Sequence, residues 1–427
     1  MKFFYKLLAL TVFLPLFSLA QGNYKQGFVI NLKGDTLKGY IDLREWGSNP
    51  TSINFKTSLD KSSLQKFAVN DISYFEVTKI TAYRQFITSI SLDETNIQRV
   101  PDHRDTSSRM DNVFLKVEQR GKNVTLYSYT DDIKQRFYIY DTQVNRIAEL
   151  TYRIYFVPND KNNVTTVSQD AYKQQLLLTA QKFDTYNDNI KTLLEEANYN
   201  GDDLRLVCRK INNTSDKEEE AGKIKKPFVR FFADAAVGFN TINRTGTFPL
   251  YNSNPSHSSA TPKISAGINF YPAPQVGRTV LRIEAAYTSV NYETSGNLDY
   301  QYNPDLISSF SFVQHNFSLT PQLQYNVYNS DAISFYLNVG LSINFSQYTG
   351  NTVYDPYTHD TYTDFSGLND RWLSVPIKTG IILKNHLELL LTYIPTVSIS
   401  DNHAGTHQDF DYSLNYTSLQ AGLGYIF

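Results

Sequence analysis

Residues 411–427, DYSLNYTSLQAGLGYIF, decide how the chain is read. Counting back from Phe427 in twos gives Tyr425, Leu423, Ala421 and Leu419, while Ile426, Gly424, Gly422, Gln420 and Ser418 stand between them. One face is apolar and the other mostly small or polar. That is the two-residue period of a β-strand, in the form it takes when lipid lies on one side and a polar interior on the other.

Seven further stretches share the pattern. Counted from the N-terminal side, strands are predicted at 228–241, 262–272, 278–292, 311–328, 332–348, 371–384, 386–400 and 411–427. Long polar connections (242–261, 293–310, 349–370, 401–410) alternate with tight turns at 273–277, 329–331 and Asn385. An even number of strands with alternating long and short connections is the arrangement of an antiparallel transmembrane barrel. The fifth strand is the cleanest, with Ile333, Phe335, Leu337, Val339, Leu341, Ile343 and Phe345 on one face and Ser334, Asn338, Ser342, Asn344 and Ser346 on the other. Pro321, Pro376 and Pro395 each remove a ladder donor from a sheet without free edges, so they are expected at bulges or near the rim.

The N-terminal half reads differently. Lys2 and Lys6, an apolar run from Leu7 to Phe17 and the small residues Ser18 and Ala20 predict a signal peptide over 1–20. After it, no apolar stretch approaches the ~20 residues that a spanning helix needs. A hairpin turning at Lys33-Gly34-Asp35 opens a series of short strands, predicting a β-rich domain over 21–165, with the polar segment 94–111 as a loop. Leu176, Ala180, Phe183, Ile190, Leu194 and Ala197 form one helical stripe, predicting a single amphipathic helix over about 169–198, with Ser168 at its N-cap and Gly201 past its end. A charged linker completes the segment 166–227, and 228–427 is the barrel. The predicted fold is thus mainly all-β: an eight-stranded antiparallel transmembrane barrel preceded by a small β-rich domain and one amphipathic helix. The 31 Tyr and 27 Phe, against 2 Met and 1 Cys, suit strands and aromatic girdles better than a helical bundle.

Projecting the alternation inward places Arg230, Asp234, Arg282, Glu284, Lys378 and Glu388 in the barrel lumen. Three cations then face three anions, and burying them is tolerable only as a paired network. An eight-stranded barrel has an interior that side chains just fill, so a plugged lumen is expected ahead of a conducting pore. Catalysis at the outer rim would need a nucleophile beside a histidine base; the barrel-half histidines at 257, 315, 359, 386, 403 and 407 lack such a motif. His403 and His407, with Asp401 and Asp409, suit a polar loop better than a metal site. No phosphate-cradling loop or nucleic-acid motif is present, so no cofactor is expected. Tyr300, Tyr302, Phe310, Phe312, Tyr348, Tyr354, Tyr357, Tyr362 and Phe365 make the loops aromatic, a composition suited to adaptable binding surfaces.

Gly34-Asp-Thr-Leu-Lys-Gly-Tyr-Ile41 resembles the opening segment of secreted and outer-membrane proteins of Bacteroidetes-type bacteria. Residues 228–427 resemble the eight-stranded outer-membrane β-barrel (porin-like) family of those organisms, related in architecture to the OmpA and OmpX type barrels. The resemblance implies that Leu419, Ala421, Leu423, Tyr425 and Phe427 form the C-terminal insertion signal, with outer-membrane lipid and the barrel-assembly machinery as partners. It carries over no catalytic residue. The expectation is a non-enzymatic integral protein of the Gram-negative outer membrane with its N-terminal domain in the periplasm. Its role would be binding or envelope organisation through surface loops and that domain, with a periplasmic or extracellular protein as partner. A narrow porin-like channel and a surface hydrolase are the alternatives.

Overall fold

The computed structural model describes residues 23–59, 64–158, 164–214, 227–246, 250, 252–297, 307–330, 332–355, 359–363, 367–400 and 412–427. The predicted signal peptide, the core of the charged linker and the loop carrying His403 and His407 lie outside the described residues. The chain forms two compact units, one within 23–225 and one within 226–427.

The first unit is built on ten strands: β1 (Tyr24–Asn31), β2 (Thr36–Asp42), β3 (Ser52–Lys56), β4 (Leu64–Ala68), β5 (Ile72–Val77), β6 (Thr81–Ser91), β7 (Ser108–Gln119), β8 (Val124–Thr130), β9 (Gln135–Asp141) and β10 (Arg146–Leu150). They form one sheet in the order β10-β9-β8-β7-β6-β5-β1-β2-β3-β4. The first hairpin turns where expected, with Gly34 at φ 93°, a left-handed conformation that glycine adopts without the Cβ clash. Residues 108–111, expected in a loop, belong to β7. β10 ends at Leu150, and a separate hairpin of β11 (Arg153–Pro158) and β12 (Val164–Gln169) starts after it.

The single helix expected over 169–198 is corrected to two, and a third occupies part of the predicted linker: α1 (Ala171–Lys182), α2 (Asp188–Glu196) and α3 (Gly201–Asn212). The stripe was right about burial: Leu176, Ala180, Ile190, Leu194 and Ala197 all join a core with Val124, Leu126, Phe137, Ile139 and Leu150 of the sheet. It was blind to the break. Asp184 takes φ 54°, and Asn187 restarts the helix by accepting from the amide of Ile190 at 3.0 Å, the role its short amide suits. Ser168 lies in β12, and Asp170 stands at the α1 N-cap. Gly201 opens α3 rather than closing a helix; Asn200 caps it through the amide of Asp203 at 2.9 Å. In α3, Leu204, Val207, Cys208 and Ile211 are buried, too few apolar residues among charges for composition to reveal the helix.

The second unit is a closed antiparallel barrel. Its walls are β13 (Val229–Gly246), β14 (Ser256–Phe270), β15 (Thr279–Asn297), β16 (Ile307–Asn329), β17 (Ile333–Gly340) continued by β18 (Ser342–Asp355), β20 (Arg371–Ser374) continued by β21 (Ile377–Leu383), β22 (Leu387–Ser398) and β23 (Tyr412–Ile426). The short β19 (Asp360–Thr363) extends β18 as a hairpin. Each wall pairs with the next, and β23 returns to β13 over fifteen residue pairs from Phe232↔Ile426 to Gly246↔Tyr412, so the sheet has eight staves and closes on itself.

The prolines mark where staves break. Leu341 donates to the Pro321 carbonyl at 3.1 Å, but Pro321 has no N–H to return the bond, and the fifth stave splits there into β17 and β18. Pro376 separates β20 from β21, and Pro395 lies in a register shift between Ile394 and Val397.

The outer face is apolar in a continuous band. Phe231, Phe239, Ile264, Ile283, Phe317, Leu323, Phe335, Leu341, Leu373, Ile377, Leu389 and Leu423 all point away from the interior, Ile264 being 61% exposed. Above the band, at the long-connection end, the walls continue as polar strand. Residues 242–246, 256–261, 293–297, 307–310, 349–355 and 360–363, all expected in loops, are hydrogen-bonded sheet. There Ser, Thr, Asn and Asp dominate the sequence and the apolar side chains of Ile242, Phe310 and Val353 turn inward, so the outward apolar half of the alternation fades although the ladder does not.

Candidate functional site: the filled barrel lumen

The lumen is layered. At the short-turn end sits a buried charge cluster. The Arg282 guanidinium, 1% exposed, donates from Nη2 to Asp234 Oδ2 at 2.7 Å and from Nη1 to Glu388 Oε1 and Oε2 at 3.0 and 3.1 Å. Its plane lies over the Phe232 ring, 3.4 Å from the centroid, a cation–π contact strengthened by burial. Lys378 donates to Glu284 Oε2 at 2.5 Å, Lys263 to Glu284 Oε1 at 2.9 Å, and Gln322 to Glu284 Oε2 at 3.1 Å. The Tyr336 hydroxyl donates to Glu388. Gly424 leaves the space: a Cβ there would stand 2.1 Å from Asp234 Oδ1 and 3.2 Å from Glu388 Oε2.

Of the six lumen residues projected from the sequence, Asp234, Arg282, Glu284, Lys378 and Glu388 meet in this cluster. Arg230 does not, and its placement is a correction. It has the inward phase but lies one step too far toward the barrel end, where Nε donates to the Phe427 carbonyl at 2.9 Å and Nη2 to the Ile426 carbonyl at 3.0 Å. Lys263 takes the third cationic place, so Lys263, Arg282 and Lys378 balance Asp234, Glu284 and Glu388. Lys263 shares its strand parity with Ser265 and Asn269, and Tyr336 shares its own with Ser334 and Asn338. The alternation thus contained both; their height along the barrel axis it did not contain.

Above the charges lies an amide and hydroxyl layer. Asn338 donates to Gln322 at 2.7 Å, Asn316 to Asn344 at 3.0 Å, and Asn344 to Ser374 at 3.0 Å. A cavity of ≈ 30 Å³ lies between Lys263, Glu284, Lys378, Asn344 and Trp372, room for one or two waters. The long-connection end is filled by Ile242, Leu250, Val290, Tyr292, Phe310, Phe312, Val353, Trp372, Ile399, Tyr412, Leu414 and Tyr416 in one apolar cluster. Phe310, Phe312 and Tyr348, expected in binding loops, are therefore redirected: the first two belong to this plug and Tyr348 packs against it. Tyr354 and Tyr362 remain 42% and 39% exposed on the β18–β19 hairpin; Tyr300, Tyr302, Tyr357 and Phe365 lie outside the described residues. Leu419, Ala421, Leu423 and Tyr425, expected in an insertion signal, are on the outer face of β23, and Phe427, just past its end, is exposed.

The first unit buries charges too, in separate sites that combine ion pairs with backbone bonds. Arg136, 0% exposed, donates to the carbonyls of Ser91 and Lys134 at 2.7 and 2.9 Å and to Asp131 at 2.9 Å. Lys134 pairs with Asp93 at 2.7 Å; burial pushes its ammonium down in pKa and Asp93 opposes this without reversing it. Burial pushes the Glu118 carboxyl up, but Lys116 at 2.9 Å, Ser128 at 2.7 Å and Arg205 of α3 at 2.9 Å together hold it below the usual carboxylate range. Asn212 fastens the end of α3 to β8. Its Oδ1 accepts from the amides of Asn123 and Val124, both at 2.9 Å, and its Nδ2 donates to Gln119 and to the Val124 carbonyl, both at 3.0 Å.

No family model and no curated protein matches the chain. Among solved structures, Neisserial surface protein A is 16% identical, aligned over 48% of this chain and 100% of that one with a TM-score of 0.24. The outer membrane protein OprG from Pseudomonas aeruginosa is 11% identical over 47% and 97%, with a TM-score of 0.26. Ail, the attachment invasion locus protein of Yersinia pestis, in complex with the heparin analogue sucrose octasulfate, is 9% identical over 46% and 99%, with a TM-score of 0.23. The assignment of a closed antiparallel barrel stands on the strand pairings of this chain alone.

Proposed function

We propose that this chain is an integral outer-membrane protein whose barrel is an anchor sealed against conduction, and whose binding functions reside in its surface hairpins and in the unit over 23–214, held in the periplasm. The observation that carries this reading is the inversion of the barrel: a continuous apolar band faces outward while six charges and a ladder of amides face inward. In water that band would be an aggregation surface, whereas in lipid a closed barrel satisfies every backbone group that the membrane cannot. An even number of staves puts Val229 and Phe427 at one end, the end of the short turns, which in such barrels faces the periplasm. The aromatic plug at one end and the paired charges at the other support an anchor over a channel. A role without catalysis is supported by three of the described barrel histidines, each engaged by a neighbour: His315 with the Tyr287 hydroxyl at 2.9 Å, His359 with that of Tyr354 at 3.2 Å, and His386 with the Ile426 carbonyl at 2.7 Å.

Two measurements test this. Purified protein is expected to migrate faster on a gel before boiling than after, and to remain with the outer-membrane fraction. In planar bilayers it is expected to show no stable open level, and a steady single-channel current from the unaltered protein would replace the anchor by the channel.

A further inference from the structure

In the first unit, two strand edges face each other across a gap. β6 pairs with β5 only through residues 81–84 and with β7 through 83–91; β10 pairs with β9. From Gln85 onward β6 has no described strand on its second side, and neither has β10. The sheet curls until these edges flank a groove of ≈ 400 Å³, lined among others by Ile87, Ser89, Met110, Arg146, Ile147 and Arg153.

One end of the gap is already closed by side chains acting as a strand would. Glu149 accepts from the Ser91 amide at 3.1 Å, and Tyr138 donates to the Ser89 carbonyl at 3.2 Å. Gln175 of α1 donates to the Glu149 carbonyl at 2.9 Å and accepts from the Thr151 amide at 2.8 Å. By the alternation of an antiparallel ladder, residues in phase with Ser89 and Ser91 on β6, and with Glu149 on β10, aim their N–H and C=O groups across the gap. At the open end these are Ile87 and Ile147. Apolar contact is offered on both faces: Ile87 and Met110 are 69% and 68% exposed on the outside, and Phe86, Ile90 and Ile147 belong to the inner cluster. Arg146 stands exposed at the groove, whereas Arg153 lies 3.8 Å from Asp93 and Glu149 is engaged with Ser91 and Tyr138, which leaves Arg146 as the cation facing an occupant.

We propose that this groove is a strand-addition site for an extended acidic segment of a partner protein, about four residues of which would span it. The segment would bridge the edges at Ile87 and Ile147, place alternate apolar side chains on the inner cluster, and set a carboxylate against Arg146. The proposal rests on the reading of residues 23–214 as the binding unit. Its test is nevertheless independent of conductance and heat-modifiable migration, so either can fail without the other.

The test uses the full chain folded in detergent micelles and a fluorescein-labelled heptapeptide alternating glutamate with valine. Its controls are the lysine–valine counterpart and a version N-methylated at alternate residues. Saturable binding of the acidic peptide is expected, weakened at least about tenfold by Arg146→Glu, an exposed substitution that leaves the core untouched. It is expected to be lost with the N-methylated peptide, which cannot complete the ladder. Hydrogen exchange should show the Ile87 and Ile147 amides fast in the free protein and protected with peptide. Absence of binding, equal binding of the lysine peptide, undiminished binding to Arg146→Glu, or unchanged exchange at both amides would each overturn the proposal.

Discussion

The two units are both antiparallel sheets with buried charges, and they dispose of edges and charges in opposite ways. The barrel removes its edges by closure, and its inward charges chiefly face one another, Arg282, Lys378 and Lys263 against Asp234, Glu284 and Glu388, with Gln322 and Tyr336 adding neutral donors. Even there the closure is incomplete above the apolar band. The β14–β15 ladder stops at Lys263↔Thr288, next to Pro262, while β14 runs on beside β13 and β15 beside β16. The sheet of the first unit stays open, and it spends side chains on the open edges and strand ends: Glu149 and Gln175 bond to the backbone of β6 and β10, and Asn212 to the start of β8. A closed sheet concentrates electrostatic risk in its centre, whereas an open one spreads it along its rim.

If that contrast holds, the largest loss should come from Arg282→Met. It removes the one side chain bonded to both Asp234 and Glu388 and leaves buried carboxylates uncompensated, a cost of about 3–5 kcal/mol. The midpoint for loss of the fast-migrating folded band on heating or in urea checks this, and a shift no larger than that of a surface variant would dissolve the contrast. Next comes Asn212→Ala in the open sheet, expected to cost up to about 3 kcal/mol because the Asn123 and Val124 backbone loses its partners. Trp46 packs edge-on against Phe75 and Tyr83, so in a Trp372→Phe background its fluorescence reports urea unfolding of this unit alone. Gly424→Ala should cost about 1–3 kcal/mol by crowding Asp234, read from the same gel midpoint as Arg282→Met.

A pH test distinguishes the units further. Glu118 is held below the carboxylate range in the folded state, so the native unit binds fewer protons than the unfolded chain in acid. Its contribution is therefore present above the unfolded value of about 4.3 and is lost as pH falls through the native one. Glu118→Gln should flatten the acid limb of the Trp46 midpoint plotted against pH; an unchanged slope would remove Glu118 from the account. The smallest effect is expected from Arg230→Ala at the barrel end, within about 1 kcal/mol. A cost in the range of Arg282→Met would return Arg230 to the central network.

The barrel was legible in the sequence to an unusual depth because each of its faces meets a different solvent. Leu337 and Asn338 are neighbours in sequence, and one is outside and the other inside for that reason alone. Legibility faded where the alternation weakened: the polar strand extensions at 293–297 and 349–355 carried no regular apolar alternation, and α3 offered only four buried apolar side chains among charges. Asp184 and Asn187 interrupted a helix whose apolar stripe continued regardless, since burial is set by the surface beneath and continuity by local backbone preferences.

By itself the sequence determined parity: which residues of 411–427 and their seven companion stretches face outward, and which face the lumen. Only the tertiary structure decided height. Lys263 and Arg230 have the same inward phase, yet the first reaches Glu284 and the second reaches the Phe427 carbonyl. A two-residue period fixes the face of a strand, but the stagger between strands, set by pairings such as Asp234↔Gly424 and Glu388↔Gly424, fixes which inward residues meet.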